Sequence, residues 1–109
     1  MKIVFHIDEL AKWQSALANI KNALTYAQTT STDLKMAVVV NGPAITGYTD
    51  SEIRSFIETH ASVAFHACQN AMQGHQIKAT QLPSGVTVMP AGIIDLAQLQ
   101  DQGFRYVKP

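Results

Sequence analysis

The segment LKMAVVV at 34–40 constrains the fold of this chain most, because all of its side chains except Lys35 are apolar. A strand with one solvated face alternates apolar and polar side chains, whereas a strand that is apolar on both faces has to be covered on both sides. Other short apolar segments predict four more strands: KIVFHI at 2–7, SVAFHAC at 62–68, VTVM at 86–89 and FRYV at 104–107. Together they favour a parallel sheet buried between two outer layers.

Helical patterns separate the predicted strands. Residues 9–28 form one apolar stripe with alternating steps of three and four, and Asp8 precedes it as the predicted N-cap. A second helix is predicted around residues 50–60. A third helix starts at Pro90 and ends before Gly103, because proline suits a first helical turn and glycine a helix end.

The alternation of strands and helices predicts a single α/β domain over residues 1–109, a three-layer sandwich with a mostly parallel five-stranded sheet. Ligands of such sheets bind beyond the carboxyl ends of the strands, near the point where the strand order reverses. In a flavodoxin-like strand order the first strand lies beside the third, which would bring His6 close to Cys68.

The charge balance argues against two classes of partner. Lys plus Arg and Asp plus Glu each number 8, and no basic run is present. Nucleic acid and anionic membrane surfaces both require concentrated positive charge, so we expect neither as a partner. Charged residues make up only 15% of the chain, which favours self-association of a weakly charged surface.

The single cysteine indicates a reducing compartment, because one cysteine cannot form an intramolecular disulfide. No signal peptide and no apolar run of about 20 residues is visible, so the expected location is the cytoplasm. Neither GxxxxGK[ST] nor GxGxxG occurs, and no cofactor is predicted.

Cys68 is the first candidate for chemistry. It ends the predicted third strand and opens a short helical turn at 69–74. Free N–H groups and the helix dipole favour the thiolate form of a cysteine at such a position, and Gln69 and Asn70 would supply the nearest N–H groups. The alternative interpretation is a small buried apolar residue.

Histidines are the second group of candidates. His66 lies two residues before Cys68 on the same face of the strand, and His6 ends the first strand. Both could assist Cys68, or the three could hold a metal ion. Because no second ligand pair with metal-site spacing follows, no metal is predicted.

The loop after the second strand is the third candidate. Asn41 and Gly42 could form a backbone pocket for a small anion, or simply a turn by which the chain leaves the sheet. Tyr48 follows this loop and could line that pocket or an interface between subunits.

Several segments together resemble the DsrE/DsrF-like family. They are VVVNGPAI at 38–45, VAFHACQNAM at 63–72 and VTVMPAGIIDLAQLQDQGFRYVKP at 86–109, and the opening KIVFHIDELAKWQSALANIKNAL is also similar. The resemblance covers essentially the whole chain. It implies a small DsrE-like α/β sandwich that assembles into homo- or hetero-oligomers, often trimers or hexamers.

The best-understood members of that family are sulfurtransferase components that carry sulfur as a cysteine persulfide. The resemblance places Cys68 where a subgroup of the family has a cysteine after its third strand, and it implies sulfur donor and acceptor proteins as partners. Three hypotheses follow: sulfur handling by Cys68 with help from His6 or His66, a non-catalytic oligomeric protein that binds a ligand at the strand ends, and a metal site.

Overall fold

A computed structural model describes every residue from Met1 to Pro109. It contains five strands and four α-helices, in chain order: β1 (Lys2–Ile7), α1 (Trp13–Thr30), β2 (Lys35–Val40), α2 (Ser51–Glu58), β3 (Ala64–Cys68), α3 (Gln69–Gly74), β4 (Thr87–Met89), α4 (Gly92–Asp101) and β5 (Arg105–Val107). Short 3₁₀ helices occupy three of the connections: Leu10–Lys12, Gly42–Thr49 and Ala79–Gln81. No helix is both long and apolar enough to span a membrane.

The five strands form one parallel sheet in the order β4-β3-β2-β1-β5, with helices on both sides. The predicted three-layer α/β sandwich is therefore confirmed. The flavodoxin-like neighbourhood of the first and third strands is wrong, because β2 lies between β1 and β3 and pairs with both. Each of the first three crossovers moves the chain one strand along the sheet, and only the last crossover returns it to the far side of β1.

One face of the sheet, here called face one, holds most of the core. Alternate residues of the central strands, among them Phe5, Val38 and Phe65, point to this face and pack against α1, α2, α3 and the 3₁₀ helix Gly42–Thr49. This cluster contains 18 buried residues, so the first three crossovers all run over face one.

The opposite face, face two, is covered by α4 alone. Leu96 and Leu99 of α4 pack on Val4, Ala37 and Val39 in a cluster of 5 buried residues. These three sheet residues belong to β1 and β2, so the helix lies over the centre of the sheet. The first turn of α4 reaches the carboxyl end of β3, but the starts of β3 and β4 are left open on this face, and Ala64 and Thr87 are exposed there.

Two helix starts differ in how they are capped. Asp50 is the N-cap of α2, and its Oδ2 accepts hydrogen bonds from the N–H groups of Glu52 and Ile53, both at 3.1 Å. Asp8 was predicted to cap the first helix but does not, because a 3₁₀ turn precedes α1 and the carboxylate pairs with Lys108 instead.

The 3₁₀ helix Gly42–Thr49 packs tightly against α1. The indole N–H of Trp13 donates to the carbonyl of Ala44 at 2.8 Å, and the indole ring meets Tyr48 edge-on, with 5.2 Å between ring centroids. Gly47 lies directly against that ring, and a Cβ at position 47 would be 2.2 Å from Nε1 of Trp13. The close approach of the two elements therefore depends on glycine at this position.

We expect Gly47→Ala to lower the free energy of unfolding by about 1–3 kcal/mol, the usual effect of overpacking a core. The buried, hydrogen-bonded Trp13 cannot move aside without breaking its bond to Ala44. Urea denaturation measures the effect. Gly74→Ala is the matched control, because a Cβ there meets nothing within 4 Å and the variant should be as stable as the wild type. Equal stability of both variants would contradict the packing argument.

Because Asp8 pairs with Lys108, we expect this ion pair to stabilise the folded protein to an extent that depends on pH. The hydrogen bond from Lys108, together with its charge, lowers the pKa of Asp8 below the usual 3.8. A carboxyl whose pKa is lowered by folding stabilises the protein above its unfolded-state pKa, and the contribution disappears as the pH falls through the folded-state value.

Asp8→Asn should therefore destabilise the protein at neutral pH and make no difference in strong acid, below the folded-state pKa of Asp8. Because the two side chains are 39% and 41% exposed, the neutral-pH effect should be at most about 1 kcal/mol. Denaturant unfolding of both proteins across this pH range measures it. A difference that is constant with pH would exclude the ion pair as its cause.

Candidate functional site

The carboxyl ends of β3 and β4 form the crevice at which a sheet of this kind binds ligands. The chain leaves β3 towards face one through α3 and leaves β4 towards face two through α4. Neighbouring strands whose connections depart to opposite faces leave a gap between them at the sheet edge. Cys68, the last residue of β3, pairs there with Met89, the last residue of β4. The site predicted between the first and third strands thus lies between the third and fourth.

The thiol of Cys68 is bound to the first turn of α4. Its Sγ accepts a hydrogen bond from the N–H of Gly92 at 3.2 Å, and no other hydrogen bond reaches the sulfur. The residue is 6% exposed and is the only cysteine, unpaired. The N–H groups of Gln69 and Asn70, expected to contact the thiol, do not, because Cys68 is the N-cap of α3 and points its side chain towards α4 instead.

Gly92 allows this contact because it lacks a side chain. A Cβ at position 92 would lie 3.2 Å from the Cβ of Cys68 and 3.1 Å from the Cβ of Asn41. These separations are shorter than ordinary contacts between carbon atoms. The start of α4 therefore approaches the ends of β2 and β3 more closely than a residue with a Cβ would without a small shift of its neighbours.

An open pocket of about 310 Å³ lies over these strand ends. It is lined by the residues that follow β2, the end of β3 with the start of α3, and the start of α4: Asn41, Gly42, Cys68, Asn70, Ala71, Ala91, Gly92 and Ile93. Four of the residues predicted from the sequence, Asn41, Gly42, Cys68 and Asn70, thus meet in one pocket. Cys68 is largely buried, yet it forms part of the pocket wall.

His6 fixes the orientation of Asn41 from the neighbouring strand. Its Nε2–H donates to Oδ1 of Asn41 at 2.9 Å, and its Nδ1 accepts from the hydroxyl of Tyr106 at 2.6 Å. With both ring nitrogens occupied, His6 contacts the pocket only through Asn41. The bond to His6 uses Oδ1 of Asn41, and the amide Nδ2 makes no hydrogen bond within the protein and is not buried; Asn41 itself lines the pocket.

His66 is hydrogen-bonded to Asp95, which is the only buried charged side chain of the protein. Its Nδ1 lies 2.7 Å from Oδ2 of Asp95, which is 3% exposed. The Nε2 of His66 has no hydrogen bond within the protein, and since no buried polar atom lacks a partner, this nitrogen reaches solvent. His66 points to face two, as does Cys68 two residues later.

The three proposed metal ligands do not converge. His6 and His66 pair with opposite sides of Val39, so β2 separates them. No group of three His, Cys, Asp or Glu side chains is arranged to hold a metal ion. The hypothesis of a metal site at His6, His66 and Cys68 is therefore wrong.

Tyr48 does not lie where it was expected. It is fully buried, and its hydroxyl donates to the carbonyl of His66 at 2.7 Å. Burial, with a smaller contribution from the charge of Asp95, raises the pKa of Tyr48 well above 10.0, so the phenol stays neutral. A side chain enclosed in the core cannot line a pocket or an interface, and Tyr48 instead supports β3 behind the site. Gln69, the other displaced candidate, is exposed and does not line the pocket.

Neither Asp95 nor the contact of Gly92 with Cys68 was predicted from the sequence. Asp95 lies four residues before Leu99 and directly before Leu96, so it interrupts the apolar stripe of α4 with a carboxylate. A charged residue on a buried helix face requires a partner, and that pattern was visible in the sequence. The partner itself was not visible, because His66 lies 29 residues away.

Two solved structures have a fold similar to that of this chain. The protein of unknown function MTH1491 from Methanobacterium thermoautotrophicum has a TM-score of 0.87 at 23% identity, over 99% of this chain and 98% of that one. The ychN protein of E. coli has a TM-score of 0.75 at 19% identity, over 100% and 99% of the two chains. These likenesses concern the fold.

No curated protein matches the chain in sequence. Its residues 1–109, however, match the family expected from the segments around Cys68 and from the C-terminal segment. The chain belongs to the DsrE/DsrF-like family.

Proposed function

We propose that this protein handles sulfur, carrying it as a persulfide on Cys68. The observation that carries the proposal is the position of the thiol in the crevice between β3 and β4, with its Sγ on the N–H of Gly92 at 3.2 Å. An N–H donor at the start of a ten-residue helix favours negative charge on the sulfur. The sulfur-transfer members of the DsrE/DsrF-like family supply the reaction class.

The reaction is a transfer between two thiols. Cys68 as thiolate attacks the outer sulfur of a donor persulfide, R–S–SH; the bond between the two donor sulfurs breaks, and the donor leaves as R–S⁻. The proton of the Cys68 thiol goes to R–S⁻, so that Cys68–SH and R–S–SH become Cys68–S–SH and R–SH without net oxidation. An acceptor thiol would then take the outer sulfur by the same step. A thiol used in this way requires a reducing compartment such as the cytoplasm.

The pocket of about 310 Å³ has room for the added sulfur beside Cys68. It is also bordered by polar groups that can receive a negatively charged sulfur, namely the free amide Nδ2 of Asn41 and the first turn of α4. His66 is better placed than His6 to assist, because His66 shares a strand and a face with Cys68 and has a free ring nitrogen. His6 uses both of its nitrogens elsewhere.

A non-catalytic binding function is the second candidate. Its support is the same pocket, in which Asn41, Gly42 and Asn70 surround Cys68 and could bind a small anion without any reaction of the thiol. The two functions separate on one variant, since a ligand of the second kind would bind Cys68→Ala as tightly as the wild type.

We further propose that the protein self-associates, as a trimer or hexamer, through the open part of face two. Parallel sheets are normally covered on both faces, but α4 leaves the starts of β3 and β4 uncovered on face two, where Ala64 and Thr87 are exposed. Ile93 and Ile94 at the start of α4 are 73% and 56% exposed, and Ile94 lies beside Met89 at the end of β4. Exposed apolar side chains next to an uncovered sheet face are typical of a subunit interface.

The first prediction is that Cys68 gains one sulfur atom when the native protein is incubated with glutathione persulfide. Mass spectrometry of the intact protein and of the peptide that contains Cys68 measures the adduct, which a thiol reductant should remove. Cys68→Ser should remain unmodified. A native wild-type protein whose mass does not change would rule out persulfide formation.

The substitution Gly92→Ala tests whether the hydrogen bond from the N–H of Gly92 to Sγ of Cys68 assists sulfur uptake. In Gly92→Ala the new methyl group would lie 3.1 Å from the Cβ of Asn41 and 3.2 Å from the Cβ of Cys68, so that one of these neighbours or the start of α4 has to give way and the contact of the N–H with the sulfur is disturbed. The initial rate of sulfur uptake should fall, whereas Gly74→Ala should react at the wild-type rate. An unchanged rate in Gly92→Ala would exclude the N–H contact as a contributor.

The second prediction is that the protein is oligomeric and that Ile93→Glu dissociates it, because a carboxylate in an apolar interface loses its hydration. Light scattering after size-exclusion chromatography measures the mass. Leu10→Glu is the control, since Leu10 is 52% exposed and lies away from face two. A monomeric wild type, or equal masses of wild type and Ile93→Glu, would exclude this interface.

A further inference from the structure

The carboxylate of Asp95 is almost completely enclosed, yet it touches neither the pocket beside Cys68 nor any lysine or arginine. Its one side-chain partner is His66, whose Nδ1 lies 2.7 Å from Oδ2 of Asp95. A buried carboxylate is expensive to desolvate and is retained where it binds a specific hydrogen-bond donor. We propose that Asp95 is a positioning residue, which holds His66 with the proton on Nδ1 and leaves Nε2 free to accept a proton on the face that carries Cys68.

The choice of tautomer follows from the acceptor. An ionised carboxylate can only accept hydrogen bonds, so the nitrogen that faces Oδ2 of Asp95 must be protonated. In a neutral imidazole the other nitrogen, Nε2, then carries the lone pair. That nitrogen has no protein partner and reaches solvent, which is the arrangement of a histidine prepared for proton transfer.

One turn of α4 holds both His66 and Cys68. Gly92 donates to Sγ of Cys68, and Asp95, three residues later on the same side of the helix, accepts from Nδ1 of His66. The two sheet residues are alternate members of β3 and lie about 7 Å apart along the strand. The position of α4 therefore sets the thiol and the imidazole on the same face of β3 with no direct hydrogen bond between them, so that a proton would pass from one to the other through a water molecule or a bound donor.

The backbone of His66 is fixed as well as its ring. The hydroxyl of Tyr48 donates to the carbonyl of His66 at 2.7 Å from face one, while Asp95 holds the ring from face two. Both partners are buried, so the imidazole has little freedom to turn. A histidine at the surface is rarely held by two buried hydrogen-bond partners. Such partners are typical of a histidine whose ring orientation is required for function.

The inference rests on the proposed function, for which it supplies the proton path. Nε2 of His66 takes the proton that the Cys68 thiol releases, and the imidazolium that forms is stabilised by Asp95. After the thiolate has attacked the outer sulfur of R–S–SH, the imidazolium returns the proton to the leaving R–S⁻. The products are Cys68–S–SH and R–SH, and His66 ends in its original neutral state.

The experiment has a spectroscopic arm and a kinetic arm. Nitrogen–proton correlation NMR of protein labelled with ¹⁵N-histidine identifies which ring nitrogen of His66 is protonated in the wild type, in Asp95→Asn and in Asp95→Ala. The wild type should show the Nδ1–H form. Asp95→Ala should show predominantly the Nε2–H form, and Asp95→Asn an increased share of it, because the carboxylate acceptor is gone. Asp101→Asn, an exposed acid on the same helix, should match the wild type.

The kinetic arm measures sulfur uptake by Cys68 from glutathione persulfide. Asp95→Asn should take up sulfur at least about tenfold more slowly than the wild type; a general acid–base group usually contributes more than this factor. Asp101→Asn should react at the wild-type rate. His66→Gln should show at least the same loss, and Asp95→Asn should cause no further loss in that background, because Asp95 acts through His66. Thermal unfolding identifies any variant that fails to fold, and the isosteric Asp95→Asn keeps the test valid if Asp95→Ala does fail.

The possible outcomes distinguish failure of the positioning role of Asp95 from failure of the proposed sulfur-carrying function of Cys68. An Nε2–H tautomer in the wild type, or an unchanged Nδ1–H tautomer in both Asp95 variants, overturns the positioning role even if Cys68 accepts sulfur. A further loss on combining Asp95→Asn with His66→Gln overturns it as well. A wild type that takes up no sulfur overturns the proposed function, and in that case the NMR arm alone decides the role of Asp95.

Discussion

Helix α4 is the only element that covers face two, and the arrangement of the site depends on how it packs there. Leu96 and Leu99 anchor the helix on the central strands. This anchoring brings its first turn over the end of β3, where Gly92 contacts Cys68 and Asp95 contacts His66. The hydrophobic contact and the polar contacts support one another, because apolar burial fixes the helix and the two hydrogen bonds fix its start.

The first turn of α4 differs from an ordinary helix start in what its polar groups do. No side chain caps it, and the N–H of Gly92 is directed to a thiol instead. The carboxylate of Asp95 faces the sheet rather than solvent, although acids in a first turn are usually exposed. Both features cost stability relative to a capped, solvent-exposed turn, and such departures from local preference are expected at functional sites.

The sequence predicted the three-layer fold and the place of Cys68 along the chain, because both are local properties. Apolar strands and helical stripes are visible within windows of a few residues, and Cys68 is both the last residue of β3 and the N-cap of α3. The strand order was not predictable in the same way, since it depends on which crossover passes over which face. The expected contact of His6 with Cys68 failed for this reason, and so did the expected roles of Tyr48 and of the Gln69 and Asn70 amides.

The sequence by itself determined that the chain forms a parallel α/β sandwich of the DsrE/DsrF-like kind with one thiol at a strand end, because hydrophobic periodicity and family motifs are written along the chain. Only the tertiary structure decided what surrounds that thiol. Gly92 meets Cys68 across 24 residues and Asp95 meets His66 across 29, through one helix that crosses face two. Contacts of this separation arise from the packing of α4 on the sheet, and no local pattern specifies them.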